Sequence, residues 1–198
     1  MAHELTLGWE HLAVAGLVAR EDADDIGLSL AGDEAAFGRL IDRYEGLIGQ
    51  QMWRFTRDRA THEELVQEVF VQAYLSLKGF RGQAPFEHWL RRIATRTGYR
   101  FWQEAAKRRG REAPLDALPA EPSVDPPGTA SEAAEYLFVL LETLAPQDRL
   151  VLTLHYFEQL DTQEIADRMG WSRTLVKVRA HRARAKLRRQ LEAAGYGG

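Results

Sequence analysis

The chain has 198 residues, 45% of them hydrophobic and 28% charged, with a formal net charge of −3 and no cysteine. That composition suits one ordinary domain or two small ones built around a core. It excludes disulfides, thiolate metal sites and a cysteine nucleophile, and it fits a reducing cytoplasm. No stretch approaches the roughly 18 apolar residues that a membrane-spanning helix needs, so no membrane insertion is expected.

The mean charge hides a segregation. Residues 91–111 carry eight Lys or Arg and one acid, Glu104. Residues 112–148 carry eight acids and no Lys or Arg, and residues 172–191 again carry eight basic residues and no acid. A solvated helix face normally interleaves the two signs, so each basic run is a candidate nucleic-acid contact.

In chain order, MAHELTLGWEHLAVAGLVA has no basic leader and is interrupted by Glu10 and His11. It reads as a short helix, not a signal peptide, inside an N-terminal extension, 1–32, of unassigned role. Asp33 is placed to cap a helix in which Phe37, Leu40, Ile41, Tyr44, Leu47 and Ile48 form one apolar stripe. Thr61 and Glu64 suggest a capping box opening a second helix that runs to about Leu77. Its expected buried face is Val66, Val69, Phe70, Ala73 and Leu77. Its other face carries Glu64, Gln67, Glu68, Val71 and Leu75. A purely solvated face has no need of Val71 and Leu75 among acids, so this face reads as a protein-docking stripe.

Gly79 and Gly82 bracket a loop, and Pro85 suits the first turn of a third helix continuing to Arg108. Around that loop and helix, Phe80, Phe86, Trp89, Tyr99, Phe101 and Trp102 alternate with Arg81, Arg91, Arg92, Arg96 and Arg100. Aromatic rings stack on unpaired bases while arginines follow the backbone, which is a single-strand binding pattern. Phe86, Trp89 and Ile93 share a face expected in the core. Phe80 has two open readings: a plug between the second and third helices, or a wall for a base.

Five of the seven prolines fall in 112–132, within an acidic linker expected over 112–136. It would separate a first domain, 33–111, from a second, 137–198. In the latter, Pro146 can open a helix, and Asp161 with Glu164 forms a capping box before TQEIADRM. Gly170 ends that helix, and Ser172 caps the last one. This is a helix-turn-helix. On the last helix Val176, Ala180, Ala183, Leu187 and Leu191 form a packing face, while Thr174, Val178, His181 and Arg182 point the other way. Lys177, Arg179, Arg184, Lys186 and Arg188 flank them, the layout of a helix that enters a major groove. Strand signals are weak throughout, so the expected class is all-α, two small helical domains.

No Gly-rich phosphate loop, nucleophile elbow or H-E-x-x-H pair is present, and the six histidines are scattered. No catalytic residue, metal or cofactor is therefore expected. A regulator binding duplex DNA would account for residues 161–191 but not for the docking stripe or the aromatic–arginine loop.

Two segments carry a closer likeness. LETLAPQDRLVLTLHYFEQLDTQEIADRMGWSRTLVKVRAHRARAKLRRQL resembles region 4 of bacterial extracytoplasmic-function (ECF) sigma factors. THEELVQEVFVQAYLSLKGFRGQAPFEHWLRRIATRTGYRFW resembles region 2 of the same class, through its E-L-V-Q-E-x-F helix, F-R-G loop and F-x-x-W-L-x-R-I-A helix. The resemblance implies a non-enzymatic cytoplasmic subunit that directs core RNA polymerase to promoters and initiates transcription. It implies contacts to the β′ clamp helices through Glu64, Gln67, Glu68, Val71 and Leu75, and further contact to the β subunit. It implies capture of single-stranded −10 DNA by Phe80, Arg81, Arg92, Arg96 and Arg100. It implies recognition of the duplex −35 element by Arg173, Thr174, Lys177, Val178, His181 and Arg182, and regulation by an anti-sigma factor. Val178 stands where the family usually has Ser, and Arg96 where many relatives have Asn.

Overall fold

A computed structural model of the chain describes residues 19–112 and 130–195. All regular structure among these residues is helical: α1 (19–30), α2 (Glu34–Met52), α3 (Arg59–Ser76) with a 3-10 turn (Leu77–Gly79), and α4 (Phe86–Glu112). After the gap come α5 (Ala130–Glu142), α6 (Pro146–Phe157), α7 (Thr162–Met169) and α8 (Arg173–Ala193). Residues through Gly98 form one compact unit and residues from Tyr99 another, so the division falls inside α4. Residues 1–18 and 113–129 lie outside the described residues. α5 already begins at Ala130, so the last residues of the stretch expected as linker are helical.

In the first unit α2 starts where the Asp33 carboxylate accepts from the Ala35 and Ala36 amides at 2.9 and 3.3 Å. A cap of this kind stabilises a helix by about 1 kcal/mol. Phe37, Leu40, Tyr44, Ile48 and Met52 are buried, whereas Ile41 and Leu47 are only half-buried. α3 begins earlier than its T-x-x-E signal predicts. Asp58 is the cap, accepting from the Thr61 amide at 2.8 Å and its hydroxyl at 2.7 Å, so Thr61 lies within the first turn. Leu65, rather than Val66, joins Val69, Phe70, Ala73 and Leu77 in the core.

α4 runs four residues past Arg108. Pro85 stands just before it, its carbonyl accepting from the His88 and Trp89 amides at 3.0 and 3.3 Å. The inward face is Phe86, Leu90 and Ala94; Trp89 and Ile93, expected with them, are half-buried. Gln51 ties α2 to α4 through Thr95 Oγ1 at 3.0 Å and the Arg91 carbonyl at 3.3 Å. Next to this tie, a Cβ on Gly98 would lie 2.4 Å from the Phe55 ring, so only glycine permits the approach.

α1 belongs to this unit although the sequence left it without a role. Arg43 binds Asp22 at 2.6 Å, Asp25 at 2.9 Å and Glu21 at 3.6 Å, and Arg39 binds Asp25 at 2.7 Å. The Tyr44 hydroxyl donates to Asp22 at 2.6 Å. Burial alone would raise the Asp25 carboxyl, but the hydrogen bonds and charges of Arg39 and Arg43 outweigh it and hold it below its ordinary value. Burial, together with the bond to Asp22 and its charge, pushes the Tyr44 phenol well above its ordinary range.

The second unit is built around Tyr136, Leu140, Leu150, Val151, Leu154, Ile165 and Val176, all buried. Pro146 occupies the first position of α6. The Asp161 carboxylate accepts from the Gln163 and Glu164 amides at 2.7 and 2.8 Å, and Glu164 accepts from the Asp161 amide at 2.7 Å, completing the capping box. Gly170, at φ +69°, ends α7, and Ser172 Oγ accepts from the Leu175 amide at 3.2 Å to open α8. The buried Arg149 guanidinium lies 4.0 Å above the Trp102 ring and 4.8 Å from the centre of Phe138.

Two outcomes follow from the first unit. Gly98→Ala should cost about 1–3 kcal/mol in urea unfolding, because the added methyl overpacks against Phe55. Asp25 has a depressed folded pKa, so its contribution is present above its unfolded pKa and disappears as pH falls through the folded one. The stability gap between the native chain and Asp25→Asn, measured by urea unfolding, should therefore be full at neutral pH and close below about pH 4.

Candidate polymerase and DNA interfaces

The outer face of α3 meets α2 along an apolar groove of about 510 Å³, floored by Phe37, Ile41, Val66 and Phe70 and edged by Val71, Tyr74 and Leu75. Val71 is 50% exposed and Leu75 69%, values that leave both side chains free for a partner. Glu64 and Gln67 are exposed, and Glu68 is half-buried and accepts from Gln72 at 3.0 Å. Of the five docking residues expected from the sequence, Gln67, Val71 and Leu75 line this groove, and Glu64 and Glu68 are not among its lining residues. Ile41, Val66 and Tyr74 were not among the five expected. Ile41 and Val66 sit at the edges of the apolar stripes of their helices, and edge positions are where a groove forms. Tyr74 packs edge-to-face on Phe37 at 5.0 Å.

The Gly79–Pro85 segment leads Phe80 into an aromatic cluster. Its ring lies 5.6 Å from Phe86 and 5.3 Å from Trp89, and the latter two rings are 5.3 Å apart. Phe80 is half-buried, so it fills space beside α4 while keeping a partly open face. Arg81 is exposed one residue before Gly82, whose φ of +64° turns the loop. Arg92, Arg96 and Arg100 are exposed at four-residue intervals along α4, the spacing that keeps side chains on one helix face. Arg91 differs: it is bound to Glu87 at 2.8 Å.

On α8, Val176, Ala180 and Ala183 are buried, while Leu187 and Leu191 are half-buried. Arg173, Thr174, Lys177, His181 and Arg182 are exposed, as is Val178 at 41%. The cationic flank is smaller than the sequence suggests. Arg179 turns back onto Asp148 at 3.2 Å, and the Lys186 ammonium donates to the Thr143 carbonyl. Arg184 and Arg188 rim a second apolar groove, of about 660 Å³, beside Leu137, Tyr156 and Leu191. The α8 residues expected to meet DNA therefore lie within its first three turns, while Arg179, between them in sequence, and Lys186 farther along are engaged by the protein itself.

Among the described residues no group of three or more His, Asp or Glu side chains is arranged to hold a metal. No helix among them is long and apolar enough to cross a membrane. His62 is held by the Gly49 carbonyl at 2.9 Å and stacks on Trp53 at 3.9 Å, and His155 is held by the Leu160 carbonyl at 2.8 Å.

Comparison with known proteins gives these surfaces a common frame. The family model "Sigma-70 region 2" matches residues 40–108, and "Sigma-70, region 4" matches residues 134–187. The "Probable RNA polymerase sigma factor RfaY" of Xanthomonas campestris is 33% identical over 167 residues, 81% of this chain; the chain spans only 42% of that relative's length. The "ECF RNA polymerase sigma-E factor" of Escherichia coli K12 is 30% identical over 77% of this chain and 85% of its own. Among solved structures, CnrH in complex with the cytosolic domain of CnrY is 26% identical with a TM-score of 0.54, covering 87% of this chain and 98% of that one. The sigma factor RpoE bound to the anti-sigma factor NepR, from Bartonella quintana, shares the fold at 19% identity and a TM-score of 0.54, over 79% of this chain and 96% of its own. With region 2 and region 4 present in order, and an E. coli sigma-E relative matched over most of its length, the chain belongs to the ECF sigma factors of the sigma-70 family, non-enzymatic subunits of RNA polymerase.

Proposed function

We propose that three exposed surfaces divide the work of this sigma factor. The α2–α3 groove with Glu64, Gln67, Glu68, Val71 and Leu75 docks on the β′ clamp helices. Phe80, Arg81, Arg92, Arg96 and Arg100 hold the unpaired −10 strand. Arg173, Thr174, Lys177, Val178, His181 and Arg182 read the duplex −35 element. Residues 33–111 then act as the docking and melting domain and 137–198 as the −35 domain, joined through 112–136, and the second domain also meets the β subunit. The protein works in the cytoplasm without a cofactor.

The observation that carries this reading is the two-sidedness of α8. Three small apolar residues, Val176, Ala180 and Ala183, attach it to the unit, which leaves six residues of its first three turns open to solvent. An anti-sigma factor is the expected regulator, because the solved sigma factor RpoE is bound to one. Two faces of this chain suit such a partner: the α2–α3 groove and the groove rimmed by Arg184 and Arg188.

Promoter binding by the chain assembled with core polymerase tests the DNA assignment. Arg182→Ala should relax preference at one or two −35 positions by about 1–3 kcal/mol. Lys177→Ala should weaken all sequences alike and reduce the salt slope by about one unit. Arg179→Ala, because its cation is engaged with Asp148, should change the slope far less than Lys177→Ala. Equal losses on every promoter from all three changes would remove the assignment.

Docking is tested separately. Glu68→Lys and Val71→Glu should weaken capture of core polymerase while circular dichroism stays native, because Val71 is half-exposed and Glu68, half-buried, is not part of the apolar core. Unchanged capture by both variants would take the groove out of the polymerase contact.

A further inference from the structure

α1 is joined to α2 through two nearly inaccessible carboxylates, Asp22 and Asp25. Asp25 already binds both Arg39 and Arg43 of α2. Asp22, 5% exposed, adds a second link: one carboxylate oxygen accepts from Arg43 and the other from the Tyr44 hydroxyl, each at 2.6 Å. Of the residues in this network, Tyr44 is the one that reaches the aromatic cluster. Its ring lies 5.5 Å from Phe86, inclined at 56°. Phe86, 3% exposed, in turn contacts both Phe80 and Trp89.

The chemistry of this line is directional. A phenol anchored at its hydroxyl loses the freedom to tilt about Cβ, and a ring packed against it in a close-packed core inherits that restriction. Phe86 is buried between the anchored Tyr44 and the half-buried rings of Phe80 and Trp89, so a shift at Tyr44 is passed to the rings nearest solvent. We propose that Asp22 and Tyr44 are positioning residues for the −10 loop: Asp22 fixes Tyr44, Tyr44 sets Phe86, and Phe86 holds Phe80 and Trp89 at the attitude that accepts an unpaired base. The inference rests on the base-holding role proposed above for Phe80. It gives α1, a helix outside the DNA surfaces proposed above, a part in promoter melting.

The experiment uses the full chain assembled with core polymerase, on a promoter with 2-aminopurine in the −10 element, as duplex and as a pre-melted bubble. Tyr44→Phe keeps the ring and removes the donor; Asp22→Asn keeps the shape and removes the charge. Each should slow opening of the duplex by about fivefold, the factor equivalent to the ~1 kcal/mol of one hydrogen bond. The bubble should recover most of that loss, with core-polymerase affinity unchanged. Asp25→Asn is the comparator: it loosens α1 without touching Tyr44, and should lower thermal stability at least as much while duplex opening stays normal. Phe80→Ala tests the underlying role of the loop. If Phe80→Ala slows opening but Tyr44→Phe and Asp22→Asn do not, or do so no more than Asp25→Asn at matched stability loss, the positioning role is wrong and the base-holding role stands. If Phe80→Ala itself leaves opening and −10 preference intact, both fall together.

Discussion

The Arg43 guanidinium is the point from which the first unit is organised. It meets carboxylates of Glu21, Asp22 and Asp25, all on α1, and so fixes the rotation of α1 against α2. A buried carboxylate without a cation is strongly unfavourable, and Asp22 and Asp25 are both nearly inaccessible, so α1 has essentially one way to lie on α2. With that face of α2 occupied, its remaining faces take α3 on one side and α4 on the other. The groove lies between α2 and α3, and the aromatic cluster meets α2 through Tyr44 and Phe86.

The second unit solves a different problem. A helix that reads DNA needs most of its circumference free, which leaves little apolar area to hold it. α8 is held by a narrow row of Val176, Ala180 and Ala183, small enough for close approach, and by polar ties at its flanks. Arg179 to Asp148, Lys186 to Thr143 and Gln190 to Thr143 are such ties. Charge is thereby used twice along one helix: Arg173, Lys177 and Arg182 keep theirs for solvent, while Arg179 and Lys186 are tied back to the unit.

Much of this was legible in the sequence because the signals were local. The Asp33 cap, the Asp161–Glu164 box, Gly170 and Ser172 each act within a few residues, and each stands where the pattern put it. Which residues of α3 and α8 are exposed was largely legible for the same reason, since helix periodicity separates the two faces. What escaped was of two kinds, a shift of a few residues in α3 and contacts between partners distant in sequence. Asp58 outcompeted Thr61 as a cap because the preceding turn presents its carboxylate to the first amides. Leu65 displaced Val66 because α3 is rotated by its packing on α2. α1 has no long apolar stripe, and its attachment through Arg39, Arg43 and Tyr44 spans 14 to 22 residues. Arg179 read as a free cation until Asp148, 31 residues earlier, came beside it.

The caps around the turn between α7 and α8 also have a kinetic meaning. Both ends of α7 and the start of α8 are fixed by hydrogen bonds and one left-handed glycine lying wholly between Asp161 and Leu175. Closing such short loops costs little chain entropy, and elements rich in local contacts order quickly. The turn between α7 and α8 can therefore close without waiting for the polar ties from α8 to Asp148 and Thr143, which span 31 and 43 residues.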